Sequence, residues 1–487
     1  MKKSLFVVIL LLLPVLVIAQ IGLKYGGLRN QSGYRIRPTA DKGFIVGGFT
    51  DSTVGNVQDY WVMRFNRLGM PIWDKSYGNA GGNQLWSIET TKDNGALIAG
   101  FSGPQYQNSE ALMYKIDSVG NVVKKLEVDY SSADHAHWFK QNSDGSYYWA
   151  GHTDSKGDLS GDMILQKLDS SFHLQWEKLY GYAGTMEHCH TAAVTPDNGV
   201  ILVGHTSVNN REKVFAVRVD SGGNIIWQKT YGATPTSNDP VYEVVVTAEG
   251  YYAIFSSSDE GTDLSPMWLL VLDPQGNKVI DQHYPLAVDF AFGGIQSSDS
   301  GYVMVGYSSK SGSTNSSLYV LKTDKIGKLQ WQKTYGDSAL AYGVMQRGKQ
   351  FLVVGGTDQT QDKLDDLWLL VLDSAGNITT LDTATHTGNA SVSPSSHLET
   401  NGMVLDQNYP NPASNITTIS FTLTYADHIS LKIMNALGEE IRTVVDRRMD
   451  VGSHYIRLNA SEFPSGTYFY ELRNSSCSLM KELVIAK

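Results

Sequence analysis

Cysteine is nearly absent: Cys189 and Cys477 are the two in 487 residues, too few for disulfides to carry the fold. Proline is scarce, at 14, and charged residues reach only 18% against 41% hydrophobic ones, which excludes wholesale disorder. Positive charge is in deficit: a net charge of −10 argues against a general nucleic-acid binder, which needs a basic face. Beyond residue 18 no apolar run is long enough to span a bilayer as a helix. A nucleotide-binding glycine loop, a serine-hydrolase elbow and a zinc-protease helix motif are all missing. What the chain does hold is 47 Gly, 26 Tyr, 10 Trp and 41% hydrophobic residues, a mix that favours short strands joined by tight turns.

The first residues read as a signal peptide. Lys2 and Lys3 precede an apolar run of 14 residues from Leu5 to Ile18, short of the roughly 20 that a membrane-spanning helix requires. Val17-Ile18-Ala19 offers compact residues for cleavage between Ala19 and Gln20, so residues 1–19 are expected to be removed. The mature chain is then expected to leave the cytoplasm and to carry no transmembrane helix.

The next 360 or so residues repeat. A Trp-x-Lys-x-Tyr-Gly string occurs at Trp73–Gly78, Trp176–Gly181, Trp227–Gly232 and Trp331–Gly336, with weaker copies elsewhere. The tyrosines Tyr25, Tyr77, Tyr130, Tyr180, Tyr231, Tyr284 and Tyr335 are spaced by 52, 53, 50, 51, 53 and 51 residues. Two further strings keep the same phase: Asp-x-Gly followed by an apolar run and Gly-x-Thr/Ser, and Asp-x-x-Gly-Asn after an alternating strand. The latter reads as a hairpin turn with Gly at positive φ. In the first string, Trp and Tyr are expected to face one side while Lys reaches solvent. Each unit holds four β-like stretches, and four strands per unit of about 51 residues predict a β-propeller blade. The fold class expected is therefore all-β: a seven-bladed β-propeller over 20–381, followed by a small β-sandwich. The N-terminal strand is expected to complete the last blade, with Ile378–Leu381 as a rival for that slot.

Residues 382–403 are rich in Thr, Ser, Asn and His and read as a linker. Residues 404–487 alternate again, at Ile416–Leu423, Ile429–Met434, Ile441–Val445, His454–Leu458 and Thr467–Leu472. This segment carries Asn408-Tyr409-Pro410-Asn411-Pro412, then Thr417-Thr418-Ile419, Asn435-Ala436-Leu437-Gly438, Gly452-Ser453-His454 and Ser465-Gly466-Thr467-Tyr468, and ends in Lys481–Lys487. In that order the motifs resemble the C-terminal sorting domain of type A cargo of the type IX secretion system in Gram-negative bacteria. Ala413-Ser414 departs from the Phe-Asn usual in that family. The resemblance implies export across both membranes, with the type IX machinery as partner of residues 404–487, and a secreted or cell-surface location. The propeller repeats also resemble those of secreted cargo of this kind, a likeness of fold and not of activity.

Chemistry is harder to place. The recurrent acids Asp59, Glu110, Asp162 and Asp366 suit a solvated turn better than a calcium loop, because the spacing of an EF-hand is missing. Gly-rich strings such as Gly47-Gly48 recur in every unit and are expected at strand ends, in a structural role. His152 and His205 share a slot with Phe49, Phe101 and Tyr307 in other units, which reads as a packing ring. Two His-x-His pairs stand out, His135 with His137 and His188 with His190, in consecutive units at the same phase. Residues two apart on a strand share a face, so four imidazoles could meet near the axial mouth and hold a divalent zinc-, copper- or nickel-like ion. The plainer reading is a polar channel rim, since Tyr242 sits at a comparable position in the next unit. No catalytic or other cofactor-binding residue is assigned. A binding or scaffold protein for an extracellular glycan or protein ligand is favoured over the alternative, an extracellular polymer-degrading hydrolase or lyase that uses the axial face.

Overall fold

The computed structural model describes residues 23–25, 31–381 and 403–487, apart from short stretches that include 52–57, 104–108, 157–160, 233–236, 259–264, 310–315 and 358–365. The signal peptide with its Ala19-Gln20 junction and nearly all of the linker lie outside the described residues.

Seven four-stranded antiparallel sheets follow one another around a ring, six of them each built from four consecutive strands. They are the blades I to VII. Their innermost strands are Gln31–Pro38, Asn83–Thr90, Asp134–Gln141, Glu187–Val194, Val241–Val246, Val288–Gln296 and Ala339–Arg347. The second and third strands, such as Phe44–Asp51 and Gln58–Phe65 of blade I, are buried almost throughout because sheets flank them on both sides. Apolar clusters accordingly lie between blades. One joins Tyr60, Val62, Trp73 and Tyr77 of blade I to Leu85, Ile98 and Leu112 of blade II.

Blade VII takes its outer strand from the other end of the chain. Leu23–Tyr25 pairs antiparallel with Asp366–Leu372, in the register Leu23 to Leu369 and Tyr25 to Leu367. Ile378 makes a single isolated bridge to Leu372 and does not compete for the slot.

The repeat strings explain how blades are fastened. On the outer strand of blade I, Trp73 Nε1 donates to the Ser118 carbonyl (2.9 Å), Lys75 Nζ to Asn121 Oδ1 (2.9 Å) and Tyr77 Oη to the Gly120 carbonyl (2.8 Å). All three acceptors lie on the Asp117–Asn121 turn of blade II. Blade IV repeats the clasp on blade V, through Trp227, Lys229 and Tyr231, and blade VI on blade VII, through Trp331, Lys333 and Tyr335. The lysine tips are exposed as expected, and they also bind the next blade. Positions i, i+2 and i+4 of a strand share one face, so Trp, Lys and Tyr act together. Gly120, at φ +77°, and its counterparts turn the clasped hairpins, and an added Cβ would stand 3.0 Å from the Trp73 ring.

Gly47-Gly48 lies within the second strand of blade I and not at its end. A Cβ on Gly48, Gly100, Gly151, Gly204, Gly306 or Gly355 would stand 1.6–1.9 Å from a carbonyl oxygen of the innermost strand, so the two backbones approach too closely for any side chain. The Asp-x-Gly turns are pinned by a cation from the third strand: Arg64 on Asp41, Lys115 on Asp93, Arg218 on Asp197 and Lys322 on Asp299.

The C-terminal unit has a three-stranded sheet, Met403–Leu405, Ile416–Leu423 and Gly452–Asn459. It faces a four-stranded one, Asp427–Asn435, Glu440–Met449, Gly466–Arg473 and Ser478–Ile485. Their inner faces share one core that includes Ile419, Phe421, Ile433, Tyr470 and Leu483. The unit touches blade I through an Arg457–Asp74 ion pair and a Thr418 hydroxyl that donates to the Pro71 carbonyl. Among the described residues no helix is long and apolar enough to cross a membrane.

Candidate functional site

Every innermost strand carries a β-bulge at the same position, and the extra residue is Tyr34, Trp86, His137, His190, Tyr242, Phe292 or Tyr342. A bulge re-aims its extra side chain, and here all seven turn to the axis. Their ring centroids follow one another around the channel at 6.3, 5.2, 5.4, 6.3, 5.0, 4.9 and 4.7 Å, the last step closing from Tyr342 to Tyr34. The result is an unbroken belt of aromatic and imidazole rings.

Arg35, the next residue of blade I, lies across the axis beside this belt. Its guanidinium donates to the carbonyls of Tyr34 and Tyr342 and, from the opposite side of the ring, to that of Tyr242 (3.4 Å). Two residues further along the strands stands a lattice of charges. Arg37 binds Glu89 (2.8 Å) and Glu243 (3.3 Å), Lys140 binds Glu89 (2.6 Å), and Arg35 lies 3.4 Å from Glu243. Burial alone would raise the Glu89 carboxyl, but the Arg37 and Lys140 charges outweigh it and hold the value at about 2. Arg37, Glu89, Lys140 and Glu243 line a mouth of about 510 Å³ together with Trp138, Gln296 and Gln346.

On the other side of the belt the imidazoles gather. His135 lies directly opposite His152 in the strand pairing of blade III, and His188 opposite His205 in blade IV. His152 and His188 stack across the blade boundary, with centroids 4.0 Å apart and planes 11° from parallel. His137 contacts His152 (5.1 Å) and His190 (5.4 Å), and His190 Nε2 is 2.9 Å from His205 Nδ1. Desolvation lowers the pKa of all six, to about 4 at His135, His188 and His205 and well below the usual range at His137, His152 and His190. They are neutral at pH 7.

The two predicted pairs are thus brought to the axis, and His152 and His205, read as packing residues, join them. The cross-strand partner of each pair was the signal that could have revealed this. Cys189 points the opposite way, into the core between blades III and IV, and burial pushes its thiol up to about 12. The charge lattice was not foreseen either. The recurrent acids are not solvated turns: Asp59 and Asp162 sit on third strands, and Asp59 accepts a hydrogen bond from Asn83 Nδ2 of the next blade (3.0 Å).

In the C-terminal unit the motif residues are structural. Asn408 donates from its backbone to Tyr470 Oη (2.7 Å) and from its side chain to Thr417 (2.9 Å). Asn411 accepts from the Val484 amide (2.7 Å), next to Pro412, and Ser465 accepts from the Lys487 amide (3.2 Å). Gly452 and Gly466 open strands, Gly452 at φ +127°, and Tyr468 Oη donates to the Pro464 carbonyl. Tyr409, Pro410 and Gly438 lie outside the described residues.

No curated protein matches the chain. Among solved structures it is similar to PorZ, described as an essential bacterial surface component of the type-IX secretion system of Porphyromonas gingivalis. The TM-score is 0.40 and the identity 10%, over 92% of this chain and 69% of that one. It is also similar to the polysaccharide lyase Uly1, with TM-score 0.41 and 9% identity over 79% of this chain and 92% of that one. A Synechocystis apocarotenoid oxygenase gives TM-score 0.41 and 11% identity, over 73% and 91% respectively. Residues 407–486 match the family described as the secretion system C-terminal sorting domain, so the chain is a secreted or outer-membrane-surface protein that ends in a type IX sorting domain.

Proposed function

We propose that this protein is a non-enzymatic binding protein, delivered by its sorting domain, whose ligand enters the axial mouth beside Arg37, Glu89, Lys140 and Glu243. The observation that carries the reading is the charge lattice itself. Both of its carboxylates are engaged by cations, and Glu89 is held ionised, so it has no proton to donate near neutral pH. Three cations face two carboxylates, which leaves one positive charge in excess on an otherwise acidic protein. An anionic extracellular ligand, an acidic glycan above all, fits that balance. A glycoside hydrolase needs a carboxyl of raised pKa as its general acid, and Glu89 is shifted the other way.

The test is a binding screen of the mature full chain against acidic and neutral oligosaccharides and extracellular proteins, with polymer degradation monitored in parallel. Acidic members should bind in a salt-sensitive manner, and Lys140→Ala should weaken them roughly tenfold, the loss of one charge-assisted contact. Binding that Lys140→Ala leaves untouched, or turnover of a polymer, would overturn the reading.

A further inference from the structure

On the side of the aromatic belt away from the charge lattice, His135, His152, His188 and His205 pack against the belt's own His137 and His190. We propose that His135, His137 and His152 form a site for a late divalent transition metal of the zinc, copper or nickel class, with His188 as the nearest further donor.

The geometry supports this ligand set more closely than the four-histidine set expected from sequence. One ring nitrogen from each of His135, His137 and His152 lies within 4.8 Å of the others, and the three residues are 3%, 6% and 4% exposed. Three nitrogens about 2.1 Å from a tetrahedral metal stand roughly 3.4 Å apart, so rotations of an ångström or so complete the site. His137 Nε2, His152 Nδ1 and His188 Nε2 are buried without a hydrogen-bond partner. A buried polar atom left unpaired costs about 1–3 kcal/mol, and coordination would remove that penalty. His135 is arranged as ligating histidines usually are. Its Nε2 lies 2.7 Å from the buried Ser109 hydroxyl, the kind of contact that orients a ligating imidazole.

His190 lies outside the three residues whose ring nitrogens come within 4.8 Å of one another, and its Nε2 pairs with His205 Nδ1 at 2.9 Å. On the far side of His188 stands Asp154, whose Oδ1 is likewise buried and unpaired. A Gly161 Cβ would come within 2.9 Å of that oxygen and 3.4 Å of His188 Nε2, so the glycine leaves room between backbone and both donors. Imidazole donors of this kind select zinc, copper and nickel over calcium or magnesium, which require oxygen.

Other blades supply substitutions that the fold already accepts at these positions. Blades I and II carry Phe49 and Phe101 where blade III has His152, blade II has Gln84 for His135, and blade V has Tyr242 for His190. Calorimetry of the mature full chain with zinc, copper(II) and nickel(II), one at a time, should show one site per chain. His152→Phe and His135→Gln should each lower the affinity at least roughly 100-fold. His190→Tyr should leave it within about threefold. Cobalt(II) bound to the wild type should give the intense visible bands of a four-coordinate site, and circular dichroism should match across the variants. Wild-type protein that binds none of the metals, or His152→Phe that binds like wild type while folded, would overturn the proposal. Loss of binding in His190→Tyr alone would overturn the ligand set.

Discussion

Glu89 joins three blades by charge: it sits on blade II and binds Arg37 of blade I and Lys140 of blade III. Its folded value of about 2 lies below the ordinary 4.5, so its stabilisation is complete above pH 4.5 and is lost as the pH falls toward 2. Glu89→Gln should destabilise the propeller at neutral pH by on the order of 3 kcal/mol and flatten the acid limb between those two values. Urea midpoints measured against pH check this, and parallel wild-type and variant curves would refute it. Individual residues such as this one were the least legible part of the sequence. Arg37, Glu89, Lys140 and Glu243 are about 50 to 200 positions apart and meet only because innermost strands converge on one axis. His152 was masked by the repeat, because Phe49 and Phe101 in the same slot made it look like packing. His135, His137, His188 and His190 were visible because the repeat has no histidine there in other blades.

Strands and turns were far more legible, since alternation and turn chemistry are local. Tyrosine spacing gave the blade period, and Asp-x-x-Gly-Asn gave hairpins whose Asp side chains accept from the backbone amides two and four residues on, as Asp117 does from Val119 and Asn121. What local pattern could not show was the destination of the exposed face of each outer strand, because the clasped turn belongs to the next blade. Closure of the ring is the element with the sharpest consequence. Removing residues 20–27 deletes the strand Leu23–Tyr25 and bares the edge of Asp366–Leu372. Three lost backbone pairings, at about 1 kcal/mol each, should cost on the order of 3 kcal/mol and promote association through the open edge. Chemical denaturation with light scattering reads both effects, and an unchanged midpoint would mean that the segment around Ile378 suffices.

At the scale of the whole molecule, the chain divides its work between a closed ring and a detachable-looking sandwich. The propeller's cores lie between its own blades, and the sandwich has a separate core. Their contact includes the partly exposed Arg457–Asp74 pair, the Thr418 hydroxyl and Tyr455, which packs against the apolar cluster between blades VII and I; exposed ion pairs stabilise little, and the sandwich core itself contains no propeller residue. Delivery and structure should therefore separate, which is the central claim of this account. The most direct measurement is to delete residues 404–487 in a cell that has the type IX machinery, then follow both the location of the protein and the near-ultraviolet circular dichroism of the purified remainder. The account predicts a propeller with wild-type tryptophan and tyrosine signals that is retained in the periplasm. A truncated protein that still reaches the cell surface would contradict the assignment of the sorting domain, and an unfolded one would contradict the independence of the ring.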